Sequence, residues 1–315
     1  MPSNSVLVRV PATVGNLAGA GDCAALALDA SLNVKVTPRF DGEVGIRYFG
    51  FHGERVPRGQ SNPVAQAMAA ALRRKGFEFK GADLEIYSSV PVGVGLGSTT
   101  AAILAGVVAA ESLFGLGLDE DALLELAGAH GSRRDNVHAA WYGGLAVAVE
   151  DRGSPAYRCI SIPEDLHLTV VVPEVEVRED VEPAQFDRQD RSAQFQRAAA
   201  LTRALAHPRG GDFTSLPAFA ISTVASSVPG LEEALQVHRP EVLSGFVCGS
   251  GPAMGILARG SGAEAAEAVR ACLARHGVAS ATTEYRLSPS GARDWNAVRP
   301  EISLPTVAGL RPALA

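Results

Sequence analysis

Lysine is almost absent from this chain: Lys35, Lys75 and Lys80 are the only three in a Lys+Arg total of 28. Arginine carries the rest of the positive charge, and the net charge is −6 at pH 7. That balance argues against nucleic acid as a partner, because binding a polyanion requires a basic face. Cysteine is sparse as well. Cys23, Cys159, Cys248 and Cys272 are far apart, fit neither a zinc spacing nor a disulfide framework, and read as reduced, mostly buried thiols. The opening Met1-Pro2-Ser3-Asn4-Ser5 has no basic region followed by an apolar one, so no signal peptide is expected and the protein reads as cytoplasmic. No internal repeat or low-complexity tract is present. With 315 residues, 47% of them apolar and 20% charged, the chain can build one large or two medium domains, each with its own core.

Glycine, by contrast, is plentiful, and its most informative cluster is Pro91-Val92-Gly93-Val94-Gly95-Leu96-Gly97-Ser98-Thr99-Thr100-Ala101. Three glycines at alternate positions let backbone N–H groups point inward without Cβ interference. The hydroxyl residues fall where a helix would begin, as N-cap and first-turn groups should. A glycine turn feeding a helix N-terminus is an anion site, since unsatisfied N–H groups and the helix dipole both favour phosphate. Three readings compete. A Rossmann loop requires G-x-G-x-x-G, and here the third glycine comes one residue early. A Walker A loop requires Gly-Lys-Ser/Thr, and no lysine lies in the loop. The plainest reading is a glycine-lined turn into a core helix. The helix itself is apolar, but its glycine and polar flanks make it core rather than membrane.

Along the chain, residues 6–10, 24–36, 44–51, 83–87, 145–149, 166–172 and 281–287 read as strands, and 62–77, 119–129, 191–207 and 262–276 as helices. Residues 216–236 read as a helical region broken at Pro229-Gly230. Gly19-Ala20-Gly21-Asp22-Cys23-Ala24 satisfies the dinucleotide fingerprint formally, but the preceding strand ends nine residues earlier and β-type sequence follows, so it is a decoy. Composition loosens at residues 150–155, which predicts the domain boundary there. Residues 174–190 are charged and aperiodic, as in a loop over a site. The tail from Ser288 is expected to be irregular.

The loop resembles something more specific. Pro-x-x-x-Gly-Leu-Gly-Ser-Ser/Thr-x-Ala is similar to the ATP loop of the GHMP kinases (galactokinase, homoserine kinase, mevalonate kinase and phosphomevalonate kinase). Residues 11–22, Pro-Ala-Thr-x-x-Asn-Leu-x-x-Gly-x-Asp, resemble the N-terminal motif of homoserine kinases. Gly249-Ser250-Gly251-Pro252 resembles the third kinase motif, a glycine turn that closes against the nucleotide loop. The fold this resemblance implies is α+β, in two domains. A ribosomal S5 domain 2-like N-terminal domain over 1–153 would carry the ATP loop, with a ferredoxin-like C-terminal domain over 154–315.

The resemblance also implies roles. Pro91, Gly93, Gly95, Leu96, Gly97, Ser98, Thr99 and Thr100 would hold ATP, and Asn62, at the start of its helix, would lie near the adenine or serve as a simple N-cap. Mg²⁺ would sit on Thr99 and Glu125, the latter eleven residues before Asn136. Asn16, Asp22 and Asn136 would orient the acceptor alcohol, with Asp22 the nearby candidate for taking its proton and Arg133 a further substrate contact. Asp135-Asn136-Val137 and Tyr142-Gly143-Gly144 resemble the segment reaching the acceptor hydroxyl.

Departures concern the acceptor. Homoserine kinases read Glu-Gly-His-x-Asp-Asn where this chain has Gly131-Ser132-Arg133-Arg134-Asp135-Asn136. The family's Thr and Arg in the loop over the site match Glu179 and Pro183, and a further arginine falls near Val224. Losing two arginines would cost several kcal/mol, on the order of two charged hydrogen bonds, unless Arg133, Arg134, Arg178 or Arg188 compensates. The expected activity is phosphorylation of homoserine or a related hydroxylated metabolite. The alternatives are a sugar or cyclitol kinase, and a non-catalytic nucleotide-binding regulatory protein of the same fold. An oxidoreductase rests only on the decoy fingerprint. Similar kinases are commonly dimers, so a homodimer is an open possibility.

Overall fold

The computed structural model describes residues 5–151, 154–175, 191–206, 228–237, 239–240 and 242–297. Glu179, Pro183, Arg178, Arg188 and Val224 therefore lie outside the described residues, as does residue 216–227 of the expected helical region.

The first sheet is organised on one long strand. β1 (Val6–Gly15) runs antiparallel along one edge of β2 (Ala24–Pro38). The other edge of β2 takes two partners. β4 (Ala82–Ser88) pairs with residues 32–38, and β5 (Leu145–Asp151) pairs with residues 24–26. β3 (Val44–Gly50) extends the sheet in parallel beyond β4, and β6 (Ser154–Ile160) extends it beyond β5. β4 shows the strict alternation of a half-buried strand.

Helices α1 (Pro63–Arg74), α2 (Ser98–Phe114), α3 (Glu120–Ala129) and α4 (Arg134–Tyr142) complete this half. α2 is buried on nearly every side, which explains its lack of a polar stripe. Asp119 caps α3 by accepting a hydrogen bond from the Ala122 N–H at 2.8 Å. One core cluster packs Val64, Met68, Leu104 and Val107 of α1 and α2 against Val8, Val34 and Leu84 of the sheet.

The second half holds a four-stranded antiparallel sheet in the order β10-β7-β9-β8. Its strands are β7 (Leu166–Pro173), β8 (Val242–Val247), β9 (Met254–Arg259) and β10 (Ser280–Arg286). Its helices are α5 (Arg191–Ala206), the short α6 (Leu231–Leu235) and α7 (Ala263–Arg275), with α8 (Ala292–Ala297) returning to the first half. A second core cluster is common to both halves: Val14, Leu26 and Leu145 pack with Leu168, Phe246, Leu257 and Leu201. No described helix is long and apolar enough to cross a membrane.

Two expectations are corrected. The turn at 150–155 does not separate the halves. It joins β5 to β6 as a hairpin, with Glu150 opposite Pro155, so the first sheet continues through Ile160 and the boundary expected at 153 moves beyond it. The tail after Ser288 is not irregular throughout. α8 forms because β1 gives it a partner: Asn296 exchanges hydrogen bonds with the Arg9 backbone at 2.9 and 3.0 Å, and the Arg9 guanidinium lies over the Trp295 ring at 4.1 Å.

α1 and α2 meet at a glycine. A Cβ on Gly106 would lie 2.3 Å from the Val64 carbonyl oxygen. Alanine there gains about 1 kcal/mol of helix propensity, but overpacking against backbone costs on the order of 1–3 kcal/mol. Gly106→Ala is expected to be a net loss, read as a lower denaturation midpoint at unchanged slope.

Candidate active site

The glycine loop leaves β4 and ends at Gly97, which caps α2 in the left-handed region. Gly93, Gly95 and Gly97 all have φ between +69 and +94°, a region that side-chain-bearing residues avoid. Two of them are also pressed from behind. A Cβ on Gly97 would lie 2.2 Å from Thr13 Oγ1, and one on Gly95 would lie 1.9 Å from the Cys248 carbonyl oxygen. Leu96 is buried under the loop, and its carbonyl accepts from the Thr13 N–H at 3.3 Å. The turn from Cys248 to Ala253 closes on the other side, where the Ala253 N–H reaches the Val94 carbonyl and the Gly249 N–H reaches the Gly15 carbonyl. The third motif thus does close against the loop.

Beyond Gly97, Ser98 is half-buried, Thr99 exposed and Thr100 buried. Four N–H groups at this helix start have no intrahelical acceptor. Pro91 is half-buried at the loop's entry. Arg55 is a neighbour that no motif revealed: a Cβ on Gly93 would lie 3.5 Å from its guanidinium. Its only signal in the sequence is a positive charge in a loop.

The second cluster gathers where β1 ends and α4 begins. A Cβ on Gly15 would lie 2.9 Å from the Arg133 guanidinium and 3.0 Å from Asn136 Nδ2. Arg133 is the hub. Its Nε lies 3.0 Å from Asp22, its terminal nitrogen 2.8 Å from Asp135, and it also donates to the Gly21 carbonyl. Asp135 is 0% exposed; burial pushes its carboxyl above the ordinary value, against the pull of Arg133. Asp22 is half-exposed, and its backbone carbonyl accepts from the Tyr157 hydroxyl at 3.2 Å.

Asn136 is 5% exposed, and its Oδ1 is buried with no hydrogen-bond partner among the described residues. Thr13 Oγ1 is in the same condition. From the second half, α5 brings Gln194 against Gly21, while Arg197 donates to the Gly19 carbonyl at 3.1 Å. Burial, with Asp135 and Asp22 adding to it, pushes the Cys23 thiol up to about 11. Burial alone pushes Cys248 up as well. Neither offers a thiolate at neutral pH.

Thr13 and Gly15 join the two clusters. They are two residues apart on one strand, about 7 Å; one touches the start of α2, the other the start of α4.

Three expected residues make contacts of their own. Asn16 is 1% exposed, and its side chain is spent on structure: Nδ2 donates to the Val247 carbonyl at 3.1 Å, and Oδ1 accepts from the Gly21 N–H at 3.3 Å. It clamps the β1–β2 turn to β8. Asn62 is an N-cap, accepting from the Val64 N–H and donating to the Pro57 carbonyl, each at 3.0 Å. Glu125 lies on the face of α3 opposite the buried Leu123 and Ala127, pairs with Arg74 at 2.9 Å, and is 59% exposed. It lines a groove of about 640 Å³ with His138 and Tyr157. His138 is two residues past Asn136, so it faces the other side of α4.

Comparisons with known proteins bear on the family and the fold. The family model described as GHMP kinases N terminal domain matches residues 62–144. A homoserine kinase of Deinococcus radiodurans is 33% identical over 258 residues, 80% of this chain and 83% of that protein. One of Desulfitobacterium hafniense is 30% identical over 298 residues, covering 91% and 99%. The crystal structure of homoserine kinase from Cytophaga hutchinsonii matches with a TM-score of 0.70 at 24% identity, over 92% of this chain and 97% of that one, and so speaks for the fold.

A two-domain α+β fold with this loop between its sheets defines a small-molecule kinase, a phosphotransferase whose acceptor is an alcohol group. The chain belongs to the GHMP kinase family, among relatives that carry the name homoserine kinase.

Removing Arg133 would leave the buried Asp135 carboxylate without its cation. Arg133→Ala is expected to cost on the order of 3–5 kcal/mol, measured by chemical denaturation. Loss of less than about 1 kcal/mol would show that the cluster does not carry its charge as described.

Proposed function

We propose that this chain is an ATP- and Mg²⁺-dependent kinase that transfers the γ-phosphate to the hydroxyl of homoserine or a closely related hydroxylated metabolite. The observation that carries the reading is the buried, unpartnered Oδ1 of Asn136, on the cluster that β1 joins to the glycine loop. A buried acceptor without a partner is costly, and an alcohol O–H entering there would satisfy it. The names of the relatives support homoserine as the acceptor.

The loop suits a triphosphate. Its glycines leave room where any Cβ would intrude, and the free N–H groups at the start of α2 point to an anion. For Mg²⁺ the fit is partial: the exposed Thr99 hydroxyl offers one oxygen, while the Glu125 carboxylate is paired with Arg74. Magnesium bound to ATP supplies charge neutralisation on the phosphates.

The chain's own residues do the rest. Gly95, Gly97 and Ser98 hold phosphate oxygens through backbone N–H groups, and Arg55 adds positive charge at the loop's outer edge. Asn136 orients the alcohol by accepting its hydrogen bond. It cannot take the proton, because an amide has no basic site of use near neutral pH. Asp22, half-exposed beside Arg133, is the group placed to accept it. Asn16 acts indirectly, by fixing the turn that presents Asp22. Positioning and charge stabilisation suffice for phosphoryl transfer, so no strongly shifted base is required.

ADP release coupled to a panel of alcohols, with homoserine included, tests the reading. Asn136→Ala is expected to lower kcat by about 5–100-fold, the cost of leaving a buried alcohol O–H without its acceptor, about 1–3 kcal/mol, with KM for ATP unchanged. Thr99→Ala should lower turnover sharply in a folded protein. ADP release with none of the alcohols would overturn the assignment.

A further inference from the structure

A group of three potential metal ligands stands apart from the glycine loop, on the helical layer of the second sheet. Cys272 lies in the last turn of α7 (Ala263–Arg275), and His276 is the residue that caps that helix. Being four apart, they share a face. Glu233 reaches them from α6 (Leu231–Leu235). One ligand atom of each lies within 4.8 Å of the other two, and His276 Nε2 is 2.8 Å from Glu233 Oε2. The imidazole is held in place: a Cβ on Gly230 would lie 2.3 Å from its ring. The carboxylate is held from behind, where Arg275 bonds its other oxygen at 2.5 Å.

We propose that Glu233, Cys272 and His276 form a binding site for a borderline divalent transition-metal ion of the Zn²⁺ class. Sulfur, imidazole nitrogen and carboxylate oxygen are the donors such an ion takes. Mg²⁺ demands oxygen and keeps its waters, so the site is closed to the metal proposed for ATP. Tetrahedral bonds of about 2.0–2.3 Å place donor atoms roughly 3.3–3.7 Å apart. The His276–Glu233 contact has to open by about half an ångström, and Cys272 Sγ, within 4.8 Å of the other two donors, has to close by no more than about 1.5 Å, within reach of a side-chain torsion adjustment.

Two protons are accounted for. The Cys272 thiol releases its proton to solvent, and the His276 Nε2 proton that Glu233 accepts in the metal-free state is lost from Nε2, the neutral ring carrying its single proton on Nδ1. The freed Nε2 lone pair and one Glu233 oxygen then exchange their mutual hydrogen bond for the ion. No electron changes hands, and water takes the fourth position. Arg275 orients the carboxylate as a neighbour of the ligand, and its charge weakens cation binding. An occupied site ties α6 to α7 over the core formed by Leu231, Val269 and Leu273. The sequence hid the group because Cys-x-x-x-His is only half of it, and the third ligand lies some forty positions earlier.

Titrating the full-length, metal-free protein with Co²⁺ tests the proposal without involving ATP. The expected result is saturable binding of a single ion per chain, with a thiolate-to-cobalt charge-transfer band, reversed by Zn²⁺ and not by excess Mg²⁺. Cys272→Ser should abolish that band. Glu233→Gln, at an exposed position outside the core, should weaken binding by about tenfold or more with the circular dichroism unchanged, and Arg275→Ala should tighten it. Absence of the band in the parent protein overturns the site. So does a band that survives Cys272→Ser, or binding indifferent to Glu233→Gln.

Discussion

The contact on which this structure depends is the close approach of the glycine loop to backbone on two sides. Thr13 of the first sheet stands directly behind Gly97, and the Cys248 carbonyl of the second half stands behind Gly95. Any side chain at either glycine would occupy space already taken. The loop is thus fixed by both halves at once, and the start of α2 is fixed with it. Anion binding by free N–H groups is useful only if they are held in place before the ligand arrives. Packing of this closeness supplies that, with no lysine needed in the loop.

The acceptor side follows a different rule, that of a buried charge which has to be compensated. Asp135 is fully enclosed, and Arg133 reaches it while also holding Asp22 and the Gly21 carbonyl. Where the resemblance to homoserine kinases implies a histidine, this chain has Arg133, the residue type best able to bond several oxygens at once. That change does not add a free cation for a substrate carboxylate, because the guanidinium is already committed to two aspartates. Arg197 of α5 packs on the same turn, donating to the Gly19 carbonyl.

Much of the site was legible in the sequence, and the failures have physical reasons. The glycine loop could be read because glycine at alternate positions before hydroxyl residues has few other uses. The helix over 119–129 was legible with its cap, and with Leu123, Leu124, Leu126 and Ala127 buried, position 125 falls on its polar stripe. Asn16 and Asn62 show a second limit. An asparagine facing a substrate and one closing a turn look alike in sequence, and only the bonds at both ends of the amide tell them apart. The segment at 150–155 has the composition of a linker, and only the pairing of β6 with β5 on either side of it shows otherwise. α8 needed Arg9, nearly three hundred residues earlier. Arg55 gave no pattern at all.

The apolar cluster shared by the two sheets has one more consequence. Val14, Leu26 and Leu145 meet Leu168, Phe246 and Leu257 in one apolar cluster, so separating the halves would bare oily surface on both. The seam has the make-up of an interior rather than a hinge, which leaves selectivity for small molecules to side chains and short segments around the frame, not to one lobe swinging against the other.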